Sequence, residues 1–96
     1  MFLIILNYKK PLDIVDNYLS QHREFLEQCY QKNQLIVSGP RVPRVGGIIL
    51  SHIADREQLM DILHQDPFYV NGVADYDIIE FNPVKYHADF VKFIMS

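Results

Sequence analysis

Residues 34–53 read QLIVSGPRVPRVGGIILSHI, and this stretch decides the fold. Leu35, Ile36 and Val37 centre a strand over 34–38, because branched aliphatic side chains suit a pleated, half-buried surface. Gly39-Pro40 closes that strand. Residues 39–47 hold Gly39, Gly46 and Gly47 of the chain's four glycines and Pro40 and Pro43 of its five prolines, with Arg41 and Arg44 between them. That composition marks a loop. Gly46 and Gly47 then lead into a second run, Ile48 to Ile53. Strand, loop of moderate length, strand predicts an antiparallel hairpin.

On the N-terminal side of the hairpin, residues 2–8 form a nearly continuous apolar run, the pattern of a central strand. Lys9-Lys10-Pro11 ends it, since proline brings no ladder donor. A helix is expected from about Leu12 to Lys32, with Asp13 and Asp16 near its positive end and Asn33 as its stop. On the C-terminal side, Asp55 begins a second helix, with Gln58 placed to complete a capping box and Leu59, Met60, Ile62 and Leu63 as its apolar stripe. Asp66-Pro67 starts a short extra turn, where aspartate at the cap and proline at the first position fit a helix start. Gly72 breaks it. Residues 73–81 form the last strand, and Asn82-Pro83 ends it. The order is βαββαβ, and right-handed crossovers leave one compact arrangement, an α+β ferredoxin-like sandwich: a four-stranded antiparallel sheet with both helices on one face. Leu3 and Ile5 are apolar as well as Phe2, Ile4 and Leu6, so the helix-free face is apolar too. A face of that kind predicts a homodimer with two sheets packed against each other.

Ninety-six residues bound a single domain, here 1–84, followed by a segment 85–96 whose Tyr86, Phe90, Phe93 and Ile94 predict a docked tail. Hydrophobic residues are 49% and charged residues 22%, an ordinary globular balance. A net charge of −3 argues against nucleic-acid binding, which needs a basic face. The apolar start is cut short by Asn7 and the lysine pair, too early for a bilayer span or a signal peptide, so no membrane role and a cytoplasmic location are expected. One cysteine, Cys29, permits neither an internal disulfide nor a cysteine-based zinc set.

The chemistry centres on His22. It lies four residues after Tyr18 and four before Leu26, which puts an imidazole on the inward face of the first helix. Two readings stand: a core histidine satisfied by a hydrogen bond, or the wall of a pocket. Asp66 likewise is either a helix cap or the carboxylate that orients the imidazole. The two are compatible, since a capping oxygen keeps further lone pairs. A carboxylate on one ring nitrogen fixes the tautomer and raises the basicity of the other, a general acid/base suited to phenols and enols. Proton transfer and elimination of that kind need no metal or cofactor. Arg41 and Arg44 either clamp an anionic group or are simply solvated. Ser38 at the end of its strand and Tyr8 at the end of the first strand are further candidates to line the site. His52, His64 and His87 show no metal spacing, and His64 is a rival partner for Asp66.

Taken together, the residues resemble the YCII family. The resemblance rests on the hydrophobic first strand, the helix histidine followed by Phe25-Leu26, the run Gln34-Leu35-Ile36-Val37-Ser38-Gly39-Pro40, the glycine-led Gly46-Gly47-Ile48-Ile49, and Asp66-Pro67-Phe68 with Gly72 after it. It spans roughly residues 1–84. The Arg-Pro pair of the family before that histidine is replaced by Leu19-Ser20-Gln21. The resemblance implies a dimeric ferredoxin-like protein with a site centred on His22 and Asp66, and kinship with small dimeric α+β barrel proteins acting on aromatic or lactone substrates. With Tyr8, Ser38, Arg41, Arg44 and Phe68 as substrate-binding candidates, the expected function is a cofactor-independent enzyme of the lyase or isomerase type, acting on a small aromatic or enol-type molecule. The alternatives are a dimeric binding module for a small metabolite and an accessory subunit whose aromatic tail docks a partner.

Overall fold

The computed structural model describes residues 1–95. The hairpin forms as β2 (Val37–Pro40) and β3 (Gly46–Ser51), antiparallel, with Val37 opposite Leu50 and Pro40 opposite Gly47. The ladder sits further toward the turn than the apolar residues alone predict, because Gly39, Pro40 and Gly47 pair and the Arg41 N–H bonds the Gly46 carbonyl at 2.9 Å. Ile36 still donates its N–H to the Leu50 carbonyl at 2.8 Å, so the contact begins before the strand proper. Gly46 has a steric reason to be glycine: a Cβ there would stand 1.7 Å from the Leu6 carbonyl oxygen.

The central strand is β1 (Phe2–Tyr8), antiparallel both to β3 and to β4 (Ala74–Glu80), and the sheet order is β2-β3-β1-β4. Ile4 lies opposite Ile49 on one side and Ile78 on the other. Phe2, Ile4 and Leu6 point into one core shared with Val15, Cys29, Leu59, Leu63 and Phe68. Burying each of these larger side chains contributes on the order of 1.5–3 kcal/mol. Leu3 and Ile5 alternate to the other face and stay only half-buried.

The expected first helix divides into α1 (Leu12–Asp16) and α2 (Leu19–Gln31). At the joint the amides of Asn17 and Tyr18 bond back three residues, to Ile14 and Val15, and the helical ladder restarts with His22 N–H to the Tyr18 carbonyl. Asn17 and Tyr18 are both modest helix formers, and the tighter turn re-aims the chain between the two segments. The end of α2 is as the sequence predicts. Asn33 adopts φ 57°, its N–H bonds the Tyr30 carbonyl, and Gln34 N–H bonds that of Cys29. Those two bonds make a Schellman motif with asparagine in the left-handed position.

After β3, α3 (Arg56–Leu63) is capped by Asp55, whose carboxylate accepts from the Glu57 amide. The short α4 (Pro67–Val70) is capped by Asp66, with Pro67 at its first position. Gly72 follows at φ 65° and turns the chain into β4. The tail forms a 3₁₀ turn (Ala88–Phe90), capped by the His87 ring nitrogen, and α5 (Val91–Ile94). Its Phe93 meets the His52 ring edge-on, centroids 5.8 Å apart, whereas Tyr86 and Val91 remain exposed. No helix among the described residues is long and apolar enough to cross a membrane.

Candidate active site

The topology brings α2, the start of α4 and the inner face of β4 to one point beneath the sheet. Asp66 occupies that point with 0% of its surface exposed. A carboxylate so enclosed must have its oxygens engaged, or its desolvation would not be offset. Oδ1 accepts from the Phe68 amide at 3.0 Å, the capping bond, and lies 2.8 Å from His22 Nδ1. Oδ2 accepts from the Tyr76 hydroxyl at 2.5 Å. Capping and histidine contact, the two readings of Asp66 in the sequence, therefore coexist on one oxygen. A carboxylate that carries no proton can only accept, and the short contact then takes its hydrogen from His22 Nδ1. That leaves Nε2 as the second ring nitrogen, with no protein partner among the described residues.

His22 is 8% exposed, and its ring lies flat on Phe68, centroids 3.9 Å apart and planes within 4°. Phe68 is in turn met edge-on by Tyr8 at 6.0 Å. The guanidinium of Arg44 sits over the Tyr8 ring, 5.8 Å from its centroid, and bonds Asp16 at the end of α1 at 2.5 Å. The bond to Asp16 raises the pKa of Arg44 against the opposing effect of burial, with lesser support from the neighbouring Tyr8. In the same pair, the Arg44 hydrogen bond holds the Asp16 carboxyl below the usual carboxylate range.

These groups border a small cleft of about 100 Å³. Leu6, Leu19, Leu26 and Pro40 make its apolar walls, Tyr8 and Phe68 its aromatic ones, and His22, Arg23 and Arg44 its polar edge. An apolar cavity with a few convergent polar groups is the usual form of a small-molecule site. Among the described residues no carboxylate lines it, so its polar edge favours an electron-rich or anionic ligand.

Of the residues singled out in the sequence, His22, Asp66, Tyr8, Phe68 and Arg44 are brought together. Ser38 and Arg41 are not among the residues lining the cleft. Ser38 bonds the Tyr30 hydroxyl at 2.6 Å, and Arg41 donates to the Asn7 side chain at 3.0 Å, which itself donates to Asp77. His64, the rival for Asp66, stacks instead on Tyr69 at 4.4 Å. Arg23, one residue beyond His22, and Tyr76 were not identified from sequence. Arg23 reads as an exposed helix charge, and Tyr76 as one bulky strand residue among several. Only the β1–β4 register, which sets Tyr76 opposite Leu6 on the inner face, brings its hydroxyl to Asp66. Cys29 is buried, and burial pushes its thiol up, away from the reactive thiolate. Among the described residues no group of three or more His, Cys, Asp or Glu could hold a metal ion.

The family model of the YCII-related domain matches residues 1–82. Among solved structures the chain is similar to 5-chloro-2-hydroxyhydroquinone dehydrochlorinase from Burkholderia phenoliruptrix AC1100, determined in complex with 2,5-dihydroxybenzoquinone. The TM-score is 0.70 at 17% identity, over 85% of this chain and 94% of that one, a likeness of fold. No curated protein matches the chain in sequence.

Proposed function

The chain belongs to the YCII-related family, and on that premise we propose that it is a small cytoplasmic enzyme using His22 as general acid/base, oriented by Asp66, on a small aromatic or enol-type substrate. The observation that carries the reading is the division of labour on one imidazole. Nδ1 is engaged by a fully buried carboxylate, while the ring lines the cleft. In the proposed reaction Nε2 takes the proton of a substrate hydroxyl, and the electron pair left on oxygen moves into the ring or enol system. The pair then draws the proton back from the imidazolium onto a ring or enol carbon, which by itself is an isomerisation. Where that carbon carries a leaving group, His22 takes the proton of a second substrate hydroxyl, and that pair expels the group as the anion, which completes an elimination; neither outcome needs an oxidant or a reductant. Asp66 keeps its hydrogen bond to Nδ1 throughout and stabilises the imidazolium. Support for the substrate class comes from the aromatic lining that Phe68 and Tyr8, set edge to face, give the cleft, and from the guanidinium groups of Arg44 and Arg23, which suit a developing phenolate. The dehydrochlorinase whose fold this chain shares acts, by its name, on a chlorinated hydroxyhydroquinone.

In this reading Ser38 and Arg41 act at one remove, holding the hairpin wall that carries Gly39, Pro40 and Arg44. The functional unit is a homodimer joined through the helix-free sheet face, supported by half-buried Leu3, Ile5 and Leu50 and by exposed Val37, Ile79 and Phe81 on that side.

The test is turnover of chlorinated hydroquinones, followed by chloride release and by the quinone absorbance, with His22→Gln as the comparison. Removing a general acid/base is expected to lower the rate by about 10²- to 10⁴-fold while leaving binding nearly intact. Saturable binding with no turnover in either protein would instead identify a non-catalytic binding module.

A further inference from the structure

Tyr76 lies outside the cleft, yet it touches the carboxylate on which the site depends. Its hydroxyl donates to Asp66 Oδ2, the oxygen that His22 does not contact, and its ring forms one wall of a second cavity of about 440 Å³ bordered by His64 and Tyr69. We propose that Tyr76 is a positioning residue: its hydroxyl fixes the Asp66 carboxylate so that Oδ1 faces His22, and thereby holds the imidazole as the Nδ1–H tautomer with Nε2 toward the cleft. This inference rests on the acid/base reading of His22.

Asp66 Oδ1 already takes two donors, the Phe68 amide and His22 Nδ1, whereas Oδ2 has only the Tyr76 hydroxyl among the described residues. The Phe68 amide cannot replace that hydroxyl, because it is fixed at the first turn of α4 and aimed at the other oxygen. Without the phenol, one oxygen of a wholly buried carboxylate would be bare. The group would then rotate about its Cβ–Cγ bond or admit water, and either change loosens the contact to His22. Tyr76 is itself set from outside the pair. The sheet register places it opposite Leu6, and its ring meets Tyr69 edge-on at 6.1 Å, with Tyr69 backed by His64. The hydroxyl is therefore positioned before Asp66 is considered. Burial, together with the charge and hydrogen bond of Asp66, also pushes the phenol far up, so it remains a donor across the whole working pH range. An acceptor that cannot move and a donor that cannot ionise specify one tautomer of the histidine beyond them.

The experiment is ¹⁵N and ¹H NMR of the His22 ring at neutral pH in the full chain. Wild type is expected to show a single Nδ1–H tautomer with a low-field proton protected from solvent. In Tyr76→Phe that proton should exchange at least tenfold faster and the ¹⁵N shifts should move toward a mixture of tautomers. Site-specific 3-fluorotyrosine in place of Tyr76 covers the case in which Tyr76→Phe fails to fold. It keeps the ring and hydroxyl but donates more strongly, drawing charge from Asp66, so the Nδ1–H resonance should move to higher field with the tautomer retained. A protected, single Nδ1–H tautomer in Tyr76→Phe, or an unmoved resonance with the fluorinated residue, overturns the positioning role alone. An Nε2–H tautomer in wild type would overturn the acid/base reading instead.

Discussion

Asp66 concentrates three donors on one side chain with no exposed surface: a backbone amide, an imidazole and a phenol. Removing a cap alone costs about 1 kcal/mol. Here the same change also leaves a buried imidazole and a buried hydroxyl without an acceptor, each costing roughly 1–3 kcal/mol. Asp66→Ala is therefore expected to lose about 3 kcal/mol or more in urea unfolding, well beyond an ordinary surface cap. Tyr76 gives the site a signature in alkali. Its pKa in the folded chain lies above the ordinary value of 10.0, mainly through burial and then through the charge of Asp66 and the bond to it. Above that pH the unfolded chain releases the phenolic proton while the folded chain keeps it, so the unfolded state binds fewer protons and stability falls as pH rises. The contribution is whole below pH 10 and is lost progressively above it. Tyr76→Phe should flatten that alkaline decline, which chemical unfolding at pH 9, 10 and 11 would measure.

At the scale of the element, the ends of the helices carry more of the specification than their middles. Asn33 holds a left-handed conformation so that α2 can stop and β2 can begin within a few residues. A residue with a Cβ and no local hydrogen-bonding habit pays about 1–2 kcal/mol there, and glycine pays nothing. Asn33→Val is expected to cost about 1 kcal/mol in thermal or urea unfolding, and Asn33→Gly should be neutral or slightly stabilising. A similar cost in both variants would mean that the asparagine side chain, not the backbone angle, matters. The break between α1 and α2 has a functional counterpart, because it sets Asp16 beside the hairpin loop, where it bonds Arg44. One unbroken helix would carry Asp16 along a different line from that loop. The hairpin's glycines serve the same end: with no Cβ, Gly46 lets the loop press against β1 and present Arg44 over Tyr8.

For the whole molecule, the sheet has two unlike faces. One is sealed by the helices, while the other leaves Leu3, Ile5 and Leu50 half-covered and Ile79 exposed. If two such faces pack together, wild type sediments as a dimer and Ile5→Glu, with its charge at the centre of the face, sediments as a monomer. A wild-type monomer in analytical ultracentrifugation would remove the dimer from the proposal. The architecture itself was legible in the sequence. Alternating or continuous apolar runs, the Gly-Pro loop and the crossover rule leave one arrangement of βαββαβ, because each is a local or topological constraint. The inward placement of His22 and the capping by Asp66 were legible for the same reason, helical spacing in one case and Asp-Pro in the other, whereas their pairing as a candidate site came from the family resemblance. The remainder of the site was decided by tertiary structure. Two residues of the proposed binding group, Ser38 and Arg41, bond Tyr30 and Asn7 away from the cleft, whereas Arg23 borders it and Tyr76 reaches Asp66 from behind. Local sequence fixes which face of an element a side chain occupies, but contacts between residues 22, 66 and 76 depend on strand register and on where a short helix begins. Those are properties of the packed chain.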